Sequence, residues 1–294
     1  MPFLRVQLIT LVSLLSLAAC QRSESAHVPE SDDFGDAIVV RATPKRIVSL
    51  NPATTDLIFA LGAGDRLVGR THWDLYPAEA AAVPDLGSGI RPNVEAVLGA
   101  RPDLVLLYAS NDNRAAAADL RTAGVNTLSL KIDSIAEFHR AARLIARVIG
   151  DSARGIIVSD SVKKTLDRVR AATMSRRKPR VFWHIWDAPL ITIARGSYMN
   201  ELIEIAGGSN VYAELPDASP MVSIEDVLRR NPDYIITGPQ GVEKIRNDPR
   251  WAEAPAVKQG RLLVADTTLV GRPSVRLGEA AVSLARMLHP DALK

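Results

Sequence analysis

The chain has 294 residues, 47% of them hydrophobic and 23% charged, with a formal net charge of +3. That is enough apolar material for one large or two medium globular bodies, and the single cysteine excludes an intrachain disulfide or a cysteine-based metal site. The basic residues are spread along the chain with no basic stripe interleaved with aromatics, so the charge gives no argument for nucleic acid.

Residues 1–19 read as a secretory signal, with Arg5 ahead of an apolar run over 8–17 that is too short to span a membrane. The stretch Leu17-Ala18-Ala19-Cys20 resembles the bacterial lipobox, which implies lipidation of Cys20 at the mature N-terminus. The mixed polar segment 20–40 is expected to be a flexible tether. It would hold the body near the periplasmic or cell-surface side of a bacterial membrane.

A first lobe is expected over 41–150. Strands are read at 47–50, 68–71, 104–108 and 127–130, with helices after Asn51-Pro52 and over 94–98 and 135–149. Alternating short strands and helices without a tight hairpin signal predict a parallel sheet covered by helices. In such sheets ligands lie at the carboxyl ends of strands, where Asn51, His72, Trp73 and Tyr108 fall.

Residues 151–178 follow as a bridge built on one long helix. Its apolar face is read as Ile157, Val158, Val162, Leu166, Val169 and Met174, with Asp151 or Ser152 as N-cap. Arg176, Arg177 and Lys178 favour the negative helix end before Pro179 stops it. The second lobe, 179–294, repeats the first. Val94-Glu95-Ala96-Val97-Leu98 before Arg101-Pro102-Asp103 matches Ile224-Glu225-Asp226-Val227-Leu228 before Asn231-Pro232-Asp233. Arg46-Ile47-Val48 matches Arg180-Val181-Phe182, and a helix running to Gly64 matches one running to Gly208. Four echoes in one order make duplication the better account than chance. The fold class is therefore α/β: two Rossmann-like lobes with mostly parallel sheets flanked by helices, joined by one long rigid backbone helix. Trp186, Asp187, Asp266 and Arg272 stand at strand ends or loops of the second lobe, so both lobes direct rings and a few charges toward one cleft.

The lipobox, Arg46-Ile47-Val48-Ser49-Leu50-Asn51-Pro52, Ser88-Gly89-Ile90-Arg91-Pro92-Asn93-Val94-Glu95, Trp186-Asp187-Ala188-Pro189-Leu190, and Arg272-Pro273 before a helix ending Leu288-His289-Pro290 carry a resemblance over about residues 40–290. The chain is similar to the helical-backbone family of ABC-importer substrate-binding proteins for vitamin B12, haem and ferric siderophores. It is most like the vitamin B12-binding members. The resemblance implies an aromatic-lined corrinoid site between the lobes, with cobalamin as transported ligand rather than cofactor. Trp73 and Tyr108 fall where such members place rings, whereas the loops at Gly89 and at Ser219-Pro220-Met221 lack the family's tryptophans. It further implies that Glu95 and Glu225 dock onto an ABC permease dimer with its ATPase subunits, and that the protein is a monomer. Haem or a ferric siderophore is the alternative cargo.

Local patterns weigh each residue. Trp73 and Trp186 each precede an aspartate and then a proline, which is loop chemistry and favours the cleft; Trp183, earlier on its strand, favours the core. Arg272 is either a helix-entry residue or a ligand partner. His72 and His184 lie in different lobes and His139 on a polar helix face expected to point to solvent, so no protein-held metal is expected. An α/β enzyme remains the reading of a different class. No Gly-x-Ser-x-Gly elbow, Walker loop or His-Glu-x-x-His occurs, and Gly62-Ala63-Gly64 fails the dinucleotide fingerprint. No enzymatic activity is expected.

Overall fold

The computed structural model describes residues 30–39 and 42–293; the expected signal segment, Cys20 and residues 21–29 lie outside them. The first lobe holds β1 (Ile47–Ser49), β2 (Leu67–Gly69), β3 (Leu104–Tyr108) and β4 (Asn126–Leu130), with α1 (Pro52–Ala60), α2 (Val94–Gly99), α3 (Arg114–Thr122) and α4 (Ile135–Val148). After α5 (Ser152–Thr173), the second lobe holds β5 (Arg180–His184), β6 (Trp186–Asp187), β7 (Leu190–Ile191), β8 (Ser209–Asn210), β9 (Tyr234–Thr237) and β10 (Leu262–Val264). Its helices are α6 (Tyr198–Ile205), α7 (Ile224–Arg230), α8 (Pro239–Asn247), α9 (Pro255–Lys258), α10 (Thr267–Val270) and α11 (Leu277–Leu288).

The main sheets have the same parallel topology, β2-β1-β3-β4 and β8-β5-β9-β10. The duplication also fixes how each sheet is pinned. Asp103 accepts the backbone N–H groups of Lys45 and Arg46 at 2.8 and 3.0 Å, and Asp233 accepts that of Arg180 at 2.8 Å. Each aspartate's own N–H returns to the carbonyl of the matching arginine. The residue before each Pro-Asp, Arg101 or Asn231, turns through the left-handed region at φ 47° or 46°. The repeated motif is thus a clamp that aligns the two central strands, and β3, apolar throughout, is covered on both faces.

Several expectations change. Glycines do stop the first helix of each lobe, but they are Gly62 and Gly207, at φ +77° and +80°, not Gly64 and Gly208. Trp186-Asp187-Ala188-Pro189 is the tip of an antiparallel two-strand ribbon, β6 against β7, rather than an open loop. The tether reading fails over 30–39: Asp32 is buried and accepts from Ser129, while Asp33, Asp36 and Glu30 pair with Arg140, Arg121 and Arg147. His139 does not point to solvent but shares a hydrogen bond of 2.9 Å with Ser159 of α5.

At about 1.5 Å per residue α5 spans roughly 33 Å, and Asp151 caps it by accepting from the Arg154 N–H. It packs on α4 of the first lobe and on α6 and α11 of the second. The buried stripe is Gly155, Ser159, Val162, Leu166, Val169 and Thr173. That alternation of four and three leaves Ile157 60% and Met174 73% exposed, contrary to the face read from apolar residues alone. The stripe begins with small residues because α4 is close: a Cβ on Gly155 would stand 2.4 Å from that of Ala146. Gly155→Leu should therefore lower stability by about 1–3 kcal/mol, while Ile157→Ala stays within about 0.5 kcal/mol. Chemical denaturation of both variants checks this, and equal losses would refute the assigned seam.

Candidate functional site

The strand ends of the first lobe face those loops of the second that flank α10, and a cavity of about 600 Å³ lies between them. Asn51, the residue after β1 and its turn, caps α1 by accepting from the Ala53 N–H and lines the cavity beside Pro52. Tyr108 ends β3 and donates its hydroxyl to Asp133 at 2.7 Å; burial, then that carboxylate, drives the phenol pKa upward. Tyr198, at the start of α6, closes the second-lobe wall and donates to the Val270 carbonyl at 2.6 Å. Trp73 and Leu75 form the opposing rim, with Trp73 60% exposed.

The Trp73 loop is held from beneath. Asp74, buried, accepts from the Thr55 hydroxyl at 2.9 Å and the Thr71 N–H at 2.8 Å, which ties the loop to α1. Arg272 crosses from the second lobe. Its Nε donates to Asp56 Oδ2 and its Nη1 to the Trp73 carbonyl, both at 3.2 Å. Burial pushes the Asp56 carboxyl up to about 7, against the opposing pull of Arg272 and Ser274.

A second cavity, about 460 Å³, opens on the second-lobe side and meets the first at Thr267 and Gly271. Trp186, 55% exposed on the ribbon, lies under Lys244 Nζ, 5.1 Å from the ring centroid. Asp187 accepts from Lys244 at 2.7 Å and bonds His184 Nε2 at 2.8 Å, while His184 Nδ1 is engaged by Thr237 at 3.0 Å. Burial lowers the His184 pKa despite Asp187, so both ring nitrogens are committed to a neutral structural role. A larger groove, about 820 Å³ between α5 and α11, takes no residue from the first lobe and is not an inter-lobe site.

Of the residues singled out in the sequence, Asn51, Trp73, Tyr108 and Arg272 thus line the first cavity, and Trp186 and Asp187 the second. Two stand outside both. His72 is exposed and tilts against Trp73 at 4.6 Å, and Asp266 is spent capping α10, accepting from the Thr268 N–H and hydroxyl. Trp183 is buried, as its place on the strand indicated, yet it also contributes to the lining of the second cavity. Sequence reasoning missed Leu75, Asp133, Tyr198, Lys244 and Asp56. Only Tyr198 carried a signal, as the ring opening the helix equivalent to α1. Among the described residues no group of three His, Cys, Asp or Glu side chains is placed to hold a metal ion.

Glu95 and Glu225 occupy the second position of equivalent helices, behind the caps Asn93 and Ser223, and both are exposed. A helix entering a parallel sheet layer starts at the end where the preceding strand stops, so both lie toward the carboxyl ends of their sheets. The Glu225 backbone N–H and Ser223 hold its carboxyl below the usual range.

The chain is 32% identical to the uncharacterized ABC transporter substrate-binding lipoprotein YvrC of Bacillus subtilis, covering 94% of this chain and 90% of that protein. It is 25% identical to the vitamin B12-binding protein of Vibrio cholerae, over 83% of this chain and 89% of that one. Among solved structures, the haem-binding protein RhuT of Roseiflexus superposes with a TM-score of 0.76 at 26% identity, covering 84% of this chain and 99% of that one. The vitamin B12-binding BtuF of Vibrio cholerae gives 0.74 at 24% identity, over 86% and 99%, a likeness of fold. The family model described as periplasmic binding protein matches residues 47–269. With a family match over most of its length, this chain belongs to the periplasmic binding proteins, extracytoplasmic substrate-binding components of ABC importers and not enzymes.

Proposed function

We propose that the protein is anchored through a lipid on Cys20, captures a corrinoid, cobalamin foremost, in the inter-lobe cleft as a monomer, and delivers it to an ABC permease dimer. The observation that carries the ligand class is charge commitment. The two cavities are lined by four charged residues besides His184, and each is already partnered: Arg272 by Asp56, Lys244 by Asp187, and Asp133 by Tyr108 and Lys131. A cleft walled by Trp73, Tyr108, Tyr198 and Trp186, whose two cations each face a carboxylate, suits a large, flat ligand of little net charge with a polar rim. Haem propionates or an anionic siderophore would meet only cations already paired with Asp56 and Asp187. Similarity to vitamin B12-binding proteins points the same way.

If Trp73 stacks on the macrocycle edge, Trp73→Ala should weaken cobalamin binding about fivefold to a hundredfold. Calorimetric titration of the variant and the native protein measures this. Equal affinities remove Trp73 from the site, and native protein that prefers haemin overturns the corrinoid assignment.

Glu95 and Glu225, repeated on both lobes, suit registration on a roughly two-fold partner, since two separated charges set position and orientation and steer encounter. The double variant Glu95→Arg, Glu225→Arg should abolish uptake in cells while ligand affinity and melting temperature hold. Either single change should cost less, and raised salt should mimic part of the loss. Normal uptake by the double variant would return both residues to solvated helix faces.

A further inference from the structure

Asp56 is a buried helix carboxylate that contacts a residue of the cleft wall, Arg272. It sits mid-way along α1, 1% exposed, and takes no part in lining either cavity. Its contact with Arg272 is single-pronged: Nε to Oδ2 at 3.2 Å, while Asp56 Oδ1 and Arg272 Nη2 are buried without a hydrogen-bond partner. Arg272 does line the first cavity, and its Nη1 holds the carbonyl of Trp73, the residue that forms the rim. The guanidinium is therefore a cavity-wall cation whose field is cancelled from behind by a buried carboxylate of the other lobe.

We infer that Asp56 is a specificity-determining residue acting through Arg272: ionised, it masks the first cavity's cation and excludes carboxylate-bearing ligands there; neutral, it admits them. This rests on the corrinoid reading of the cleft and adds which corrinoids are taken, namely those whose peripheral carboxylates are amidated. The physical basis is the weak screening of a buried pair, where removing one charge exposes the full field of the other. Because burial outweighs the pull of Arg272 on Asp56, the mask is also open to protonation near neutrality. The groups facing the pair are few. Asp74, tied to Thr55 and Thr71, and Ser274 lie beside Asp56, and the Tyr198 phenol and Asp133 lie on the Arg272 side. His72 stands at the rim, its ring 4.6 Å from that of Trp73.

The experiment measures the affinities of cyanocobalamin and of its monocarboxylic acid, in which one amide is hydrolysed and stays ionised from pH 6 to 8. Native protein at pH 8 should prefer the amide form, and that preference should shrink about tenfold at pH 6 as Asp56 gains its proton. Asp56→Asn should show the reduced preference at both pH values, with the slope gone. His72→Gln should keep the native slope. A pH-independent ratio in native protein overturns the inference without needing any variant to fold. So does a native slope in Asp56→Asn, a lost slope in His72→Gln, or an Asp56→Asn variant that loses both ligands in proportion. Native protein that binds neither compound fails the corrinoid reading instead, and this inference with it.

Discussion

Everything in this molecule hangs on the unbroken backbone hydrogen bonding of α5. One helix of 22 residues carries the chain from lobe to lobe and is packed on both. Bending it would break ladder bonds and unpack its seam at once, which is why such a link resists hinge motion. The cleft is consequently preformed, and adjustment falls to the side chains at its rim, Trp73 and Trp186, which are 60% and 55% exposed. The Asp56–Arg272 pair and the Arg272 bond to Trp73 span the same gap on the cleft side. Helix behind and ion pair in front hold the lobes at two separated places.

The duplicated lobes were legible because their defining features are local. A Pro-Asp after a helix and an arginine opening a strand are short strings, and the clamp they form is the same in both sheets. Helix seams were less legible. Gly155 and Ser159 are buried because two helices approach closely there, and a reading that rewards apolar side chains passes over them. The same reading placed Ile157 and Met174 inside, where the turn of the helix puts them in water. Residues 30–39 misled in a similar way. Their mixed polar composition suggested a solvated tether, but the arginines that receive their acids lie about a hundred residues away.

The candidate site divides along the same line. Trp73, Tyr108 and Trp186 could be found because rings are scarce in this chain and these stand at or just past the ends of strands β2, β3 and β5. Asp56 could not, since it lies within an apolar helix and its partner Arg272 is 216 residues distant. Lys244 and Asp133 are ordinary charges until the fold sets them beside Asp187 and Tyr108. Charge in the cleft is thus a property of pairs, and pairs across lobes leave no trace in spacing. Asp266 errs in the opposite direction: its position at a strand end was suggestive, yet helix capping alone accounts for it.

The central claim is that a rigid two-lobe frame presents a ready-made corrinoid cleft. Spin labels at Ala118→Cys and Arg246→Cys, exposed sites on α3 and α8 in a Cys20→Ala background, report the distance between lobes during cobalamin titration. The account predicts saturable binding with the inter-label distance changing by no more than about 3 Å. Closure by 10 Å or more on the order of a hinge motion, or a distribution untouched because cobalamin does not bind, would contradict it.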